Sequence, residues 1–525
     1  MIREEIKKIL AEAVKKALGL EVAVSELMVE RPKNESFGDF SSPQALSLGK
    51  SLKQNPLELA GKIAEKIEDR ETRFSRVEVT PPGFINFYLS DEFLRKQTAE
   101  ILKKKEAFGK NNLGAGKSFQ VEFVSANPTG PLTLGNGRGG VYGDILGNVL
   151  KKSGFAVTRE YYVNDAGGQI EKLGHSILKD EEAEYKGEYI DELAKEIKGD
   201  DPKQIGQEAV KEILKQIKKT VSGMGIEYDV WFSESEELRA AGKVEAVFEW
   251  LRKKELAYEQ DGALWFAAEK YGDEKDRPLR KSDGEPTYFG VDCAYHFNKF
   301  TERKFDRVLN VWGADHHGDV PRVKGFVESL GFKDAFEIVL LQFVRLVKDG
   351  QEVRMSKRKG VYVTVDEVLE EVGRDAFRFF MAMYSPNTHM DFDLALAKEQ
   401  SQKNPVYYAQ YGYARISSIK VKVGANEKSE ADLALLKEKE ELDLIRQLTR
   451  YPEIIADTAR DYQIQRVPQY ALDLVSVFHK FYETCRVLGA DEKLQAARLN
   501  LIEATQLVLG DLLENVLGVK APEKM

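Results

Sequence analysis

The sequence predicts an α/β protein of several domains, with a nucleotide-binding α/β unit set between a small α+β unit and a closing all-α bundle. Three observations carry that expectation. The chain has 525 residues, more than one core organises, since single domains usually hold ~100–200 residues. The segment FQVEFVSANPTGPLTLGNGRGGVYGDILGNVLKKSG runs an apolar strand into a glycine-rich turn and on into a helix, which is how a nucleotide-binding sheet opens. From 401 to 515 helical patterns dominate, with few Gly or Pro breaks.

Residues 1–108 alternate helical patterns at 2–18, 43–53, 56–68 and 91–107 with strand-like stretches at 76–80 and 84–89, the latter after the turn Pro81-Pro82-Gly83. In the first helix Ile2, Ile6, Ile9, Leu10, Ala13 and Leu18 share a face, with Glu4, Glu5 and Glu12 interspersed. A signal or transit peptide lacks such acids, so a mature domain's first helix is expected. A glycine- and lysine-rich linker follows at 109–118. Its Gly-Ala-Gly-Lys-Ser ending is set aside as a phosphate-binding loop, because that motif needs Gly where Asn111 stands and a strand before it. The nucleotide-binding unit is expected over 119–400, with a charged insertion at about 170–286 that holds helices near 205–222 and 236–254 and a hairpin around 256–266. Strands at 307–312 and 338–346 and a helix at 366–383 complete its second half, and the bundle occupies 401–525.

Composition excludes several classes of function. No run of ~18 or more apolar positions is long enough to span a bilayer, and 31% of the chain is charged. Only Cys293 and Cys485 occur, far apart, which excludes a disulfide framework and a clustered-thiolate zinc site and points to a reducing cytosol. The net charge of −9, from 78 basic and 87 acidic residues, argues against a general DNA-coating protein but leaves room for RNA bound on a locally basic face.

Two short segments carry the chemistry. The turn Asn127-Pro128-Thr129-Gly130-Pro131-Leu132-Thr133-Leu134-Gly135-Asn136-Gly137 lets backbone approach a polyphosphate at the start of a helix, whose N-terminus favours anions. The run Arg354-Met355-Ser356-Lys357-Arg358-Lys359-Gly360 crowds four cations and a hydroxyl into one loop. Taken alone, the first reads as a tight turn and the second as a solvated basic loop. Likewise Glu122 reads alone as the partner of a surface lysine, and Tyr288 with Asp292, four apart on one face if their segment is helical, as a helix-surface pair.

Together the two segments resemble the paired His-Ile-Gly-His and Lys-Met-Ser-Lys-Ser signatures of class I aminoacyl-tRNA synthetases. The segments VEFVSANPTGPL, YYVNDAGGQI, DGALWF, TYFGVDCAYH, VWGADHHGDVPRVK and VRMSKRKG are similar in order and spacing to those of arginyl-tRNA synthetases, and the resemblance covers essentially the whole chain. It implies a class I Rossmann-like catalytic domain with an insertion, an N-terminal domain that touches the tRNA elbow and a helical anticodon-binding domain. The implied reaction joins L-arginine to its tRNA with Mg-ATP through arginyl-adenylate. Both signature histidines are replaced, by Thr133 and Asn136, which still donate hydrogen bonds, and a Thr-Ile-Gly-Asn version occurs in tryptophanyl enzymes of the same class. The resemblance implies that Thr133, Asn136 and Lys357 act on the phosphates, with Pro131, Gly135, Gly137, Asp315, His317, Met355 and Ser356 around ATP. It places Glu122, Ser125, Asn127, Tyr288, Asp292 and His316 around arginine, whose guanidinium needs carboxylates for forked hydrogen bonds. No metal is expected at His316 and His317, because neighbours on a strand point to opposite faces.

Aromatic residues at Phe84 and Phe87, and Tyr407, Tyr408, Tyr411 and Tyr413 beside Arg415, are candidates for base stacking, although at least two of the four tyrosines are expected in the core. A cytoplasmic monomer is expected from the family. Two other readings stay open: a class I synthetase for another amino acid, and a non-catalytic tRNA-binding paralogue.

Overall fold

The computed structural model describes residues 1–68, 72–348, 350–352, 363–423 and 431–525. At the N-terminus, helix Ile2–Leu18 buries Ile2, Ile6, Leu10, Ala13 and Val14 and ends at Gly19, whose φ of 69° closes the helix in the left-handed region. Strand Phe84–Leu89 sits between Phe40–Ser42 and Phe74–Thr80 in an antiparallel sheet. This α+β unit leans on the C-terminal helices through ion pairs, among them Arg3 with Asp457 at 2.7 Å and Arg31 with Glu453 at 2.8 Å.

The centre of the molecule is a parallel five-stranded sheet of β1 (Ser118–Glu122), β2 (Ala156–Val163), β3 (Val230–Ser233), β4 (Arg307–Gly313) and β5 (Phe336–Leu341), in the spatial order β5-β4-β1-β2-β3. That is the doubly wound order, whose switch point lies between β1 and β4. Helix α1 (Leu134–Lys152) follows β1 and is buried along most of its length. Two later helices complete the site: α2 (Tyr288–Phe297) and α3 (Val365–Ala382). The expected linker lies along the end of α1, with Gly114 N donating to Ser153 O at 2.9 Å and Gly116 N to Gly154 O at 2.8 Å.

Three sequence expectations are corrected. The stretch 170–286 is not wholly an insertion, because β3 lies inside it and pairs with β2; the long helix Pro202–Gly223 belongs to the crossover that returns the chain to the sheet. The span 338–346 is not one strand: β5 ends at Leu341, and Val344–Lys348 leaves the central sheet to pair with Met390–Asp393. The cause is visible in Arg138 of α1, which is buried and donates to the carbonyls of Gln342 (2.6 Å), Ser385 (2.8 Å) and Thr388 (3.0 Å), pinning the bend. The helix expected at 236–254 is broken by Gly242 at φ 67°, leaving Lys243–Lys253 after a π turn. The described elements of the C-terminal region are all helices, from Pro405–Val423 to Glu492–Gly510 and a closing π turn, Asp511–Leu517.

Candidate active site

The switch point places the carboxyl ends of β1 and β4 side by side, so Glu122, which ends β1, and Gly313, which ends β4, border one crevice. Beyond Glu122 the chain turns through two left-handed residues, Val124 at φ 67° and Ser125 at φ 40°. A β-branched residue there is strained by roughly 1–3 kcal/mol and persists because neighbours hold it. The hold comes from β2: Tyr162 N donates to Ser125 Oγ at 3.1 Å, and Tyr161 OH donates to Ala126 O at 2.9 Å. Asn127 is thereby left exposed at the mouth of the crevice.

Half-buried Pro131 leads into α1, and Thr133 is the N-cap of that helix. Asn136 Oδ1 accepts from Thr133 N at 2.9 Å and from Thr133 Oγ1 at 2.8 Å, while Asn136 N donates back to Thr133 Oγ1 at 3.4 Å, a reciprocal capping box. The Thr133 hydroxyl proton is therefore committed to Asn136. The donor left unengaged among the described residues is the Asn136 amide, aimed from a helix N-terminus. Gly135 is exposed and a Cβ there meets nothing nearer than Thr133 Oγ1 at 3.8 Å, so only an approaching ligand would require the glycine. Gly137 differs: a Cβ would lie 2.6 Å from Phe377 and 2.9 Å from Val365, so this glycine serves the packing of α3 on α1.

Met355, Ser356 and Lys357 lie outside the described residues. The segment that follows them is stitched to the first motif, with Leu134 N donating to Val363 O at 3.2 Å and Val365 N to Leu132 O at 2.9 Å. The described chain from Val363 onward thus meets the first motif at the N-terminus of α1.

The other side of the crevice is acidic and mostly buried. Glu160, Glu122 and Asn310 stand in one row across β2, β1 and β4. Two neighbouring carboxylates on one sheet face repel unless neutralised. The neutralising cations come from the π turn Asn298–Glu302 that continues α2 and from its C-cap: Lys299 Nζ donates to Glu122 Oε2 at 2.6 Å, and the capping Arg303 grips Glu160, which also accepts from Tyr295 OH at 2.6 Å. Glu234, after β3, is paired with Arg239 at 2.7 Å and accepts from Tyr162 OH at 2.8 Å.

Tyr288 and Asp292 share one face of α2, as their spacing required, with Tyr288 72% exposed at the rim and Asp292 half-buried below it. Unlike the other acids of the pocket, Asp292 has a carboxylate with no hydrogen bond or ion pair among the described residues. Burial, then the nearby charges of Glu122 and Glu234, push its carboxyl up to about 7 from the ordinary 3.8. A carboxyl whose ionised form is disfavoured first by burial and then by neighbouring negative charge is a site that a cation relieves.

After β4, residues Ala314–Asp319 form a 3-10 turn rather than the strand continuation expected, so the opposite-faces argument for His316 and His317 does not apply; both are exposed. His316 Nδ1 lies 3.0 Å from Asp319 Oδ2, and Asp315 is exposed beside it at the crevice edge. Sequence reasoning missed Lys299, Glu234, Glu160, Asn310 and Arg138. The one available signal was Lys299, seven residues beyond Asp292 and so two turns along the same face.

In the distal regions, Phe87 is core and Phe84 half-buried. All four tyrosines of the helix Pro405–Val423 are half-buried; Tyr408 and Tyr413 pack on the core. Tyr407 and Tyr411 stack at 6.4 Å between ring centroids, with Arg415 over Tyr411 and Tyr482.

A doubly wound sheet whose switch point carries a capped helix N-terminus, with the chain from Val363 onward bonded to it, is the catalytic architecture of class I aminoacyl-tRNA synthetases. Three family models match: the arginyl tRNA synthetase N terminal domain over 4–89, the catalytic domain of class I (R) tRNA synthetases over 176–421, and the DALR anticodon binding domain over 409–525. The arginine–tRNA ligase of Caldanaerobacter subterraneus is 44% identical across 100% of this chain and 98% of its own, and that of Bacillus subtilis is 40% identical across 100% of both. The Thermus thermophilus arginyl-tRNA synthetase structure shares the fold at a TM-score of 0.79, 24% identical and covering 100% of each chain. The chain belongs to the arginyl-tRNA synthetase family.

Proposed function

We propose that this chain activates L-arginine with Mg-ATP to arginyl-adenylate and transfers the arginyl group to the terminal ribose of arginine tRNA, acting as a cytoplasmic monomer. The observation that carries the reading is half-buried Asp292, whose carboxylate has no hydrogen bond or ion pair among the described residues and feels the charge of Glu122. Asp292 and Glu122 take the guanidinium, with Asn127, Ser125 and His316 around the rest of the amino acid and Tyr288 over the mouth. Asn136, backed by Thr133, donates to the ATP phosphates; Gly135 gives them room, with Pro131 and Gly137 shaping the turn, and Lys357 with Met355 and Ser356 acts on the phosphates. Asp315 accepts from the ribose, with His317 next to it. Catalysis is then positioning plus stabilisation of the charge that builds as pyrophosphate leaves. Residues 1–108 touch the tRNA elbow, 119–400 carry the chemistry after the linker 109–118, and 401–525 read the anticodon, where Tyr407, Tyr411 and Arg415 offer stacking faces.

The test is aminoacylation of total tRNA with each radiolabelled amino acid. Arginine charging alone, lost in Lys357→Ala, is the expected result. Charging of another amino acid overturns the pocket assignment, and tRNA binding without any charging overturns the catalytic one.

A further inference from the structure

We propose that Lys299 is a positioning residue of the amino-acid pocket, gripping Glu122 by one oxygen and tying it through Asn310 and His296 to the backbone of Asp292. The inference rests on the reading of Glu122 and Asp292 as guanidinium acceptors.

The Lys299 side chain is fully buried, and its ammonium has three directions filled: Glu122 Oε2 at 2.6 Å, Asn310 Oδ1 at 3.0 Å and the Tyr295 ring at 4.1 Å. With Asn310 Oδ1 accepting from the lysine, its amide Nδ2 faces His296 Nε2 at 3.1 Å. His296 Nδ1 lies 2.8 Å from Asp292 O, and a carbonyl only accepts, so the imidazole proton sits on Nδ1 and Nε2 receives the Asn310 amide. Every orientation in the chain is fixed by its neighbours. Asn310 and His296 are as buried as the lysine, and a fully satisfied buried network holds one geometry. The Glu122 carboxylate on β1 and the Asp292 backbone on α2 are therefore linked by buried hydrogen bonds.

Lys299 also sets the charge of the site. It cancels one negative charge and occupies Glu122 Oε2, which leaves Glu122 Oε1 and the Asp292 carboxylate for a ligand. Such a pair suits a single cation with divergent N–H donors, a guanidinium, better than a compact ammonium. If Lys299 were only a core ion-pair partner, its loss would lower stability and impair both substrates alike.

The experiment uses the full-length chain and measures KM for arginine and for ATP in tRNA charging, with thermal unfolding alongside. Lys299→Met is expected to raise the arginine KM by about tenfold or more while the ATP KM stays within about twofold. Equal shifts for both substrates, or a fall in melting temperature with the arginine KM unchanged, overturns the proposal. Asn310→Leu keeps the Lys299–Glu122 pair but cuts the link to His296, so it decides the matter should Lys299→Met fail to fold. It is expected to raise the arginine KM by about threefold or more with ATP unaffected, and an unchanged arginine KM overturns the link. Glu122→Gln separates the two levels of the claim. If it leaves the arginine KM untouched, the pocket assignment itself fails; if it weakens arginine while the other two variants do not, only the role of Lys299 fails.

Discussion

The side of the crevice proposed for phosphate is made of backbone and neutral donors at a helix N-terminus, whereas the side proposed for the amino acid is made of carboxylates from two strands, the end of a third and a helix, whose charges are only partly cancelled. The first arrangement depends on a dipole and on room for a ligand, so a change of donor from imidazole to amide leaves it intact in kind. The second depends on a charge balance in a dry pocket, where removal of one group is felt by all the others. Substitutions on the two sides should therefore separate cleanly, arginine from ATP.

The largest separation is expected from Asp292→Asn. Truncating a charge partner costs about 2–5 kcal/mol, so arginine kcat/KM should fall by roughly 30- to 5,000-fold while the ATP KM holds within about twofold. Steady-state kinetics on both substrates measures this, and a joint loss would erase the distinction between the two sides. Next comes Asn136→Asp, which keeps the acceptor of the capping box but replaces the free amide donor by a charge that repels phosphate. Its turnover should drop by about 10²-fold with stability changed by less than ~0.5 kcal/mol, a combination that thermal unfolding and single-turnover charging resolve together.

A smaller, graded effect follows from pH. Asp292 is raised from 3.8 to about 7, and the guanidinium needs its carboxylate form. The arginine KM should thus fall by about tenfold per pH unit as pH rises towards 7 and level off above it. In stability the same group acts with the opposite sense. Between 3.8 and about 7 the folded chain keeps a proton that the unfolded chain has released, so Asp292 costs stability increasingly as pH rises through that window. The smallest effects distinguish the two glycines: Gly137→Ala should cost about 1–3 kcal/mol against Phe377 and Val365, whereas Gly135→Ala should leave stability within ~0.5 kcal/mol and raise only the ATP KM by a few-fold.

How much of this was legible in the sequence follows from the range of the forces involved. The first helix was legible to the residue because its apolar face repeats locally, and strand Phe84–Leu89 because a turn precedes it. Strand β3 was not, since four residues between charged neighbours acquire their burial from β2, some seventy positions away, rather than from any alternation of their own. The bend after Leu341 was equally hidden, because the group that fixes it, Arg138, lies two hundred residues upstream and reads as one more surface cation. At the site, Tyr288 and Asp292 were visible as a helical i, i+4 pair, and Glu122 through resemblance. Lys299 was invisible as a buried group because a lysine in a mixed segment looks solvated until β1 brings Glu122 beneath it.

The most direct test of the acidic-pocket account is calorimetric titration of arginine into the enzyme in buffers of different ionisation enthalpy. The account expects nearly one proton released per arginine bound at pH 6 and almost none at pH 8, with the release abolished in Asp292→Asn. Arginine binding at pH 6 without proton release, or release that persists in Asp292→Asn, would contradict it.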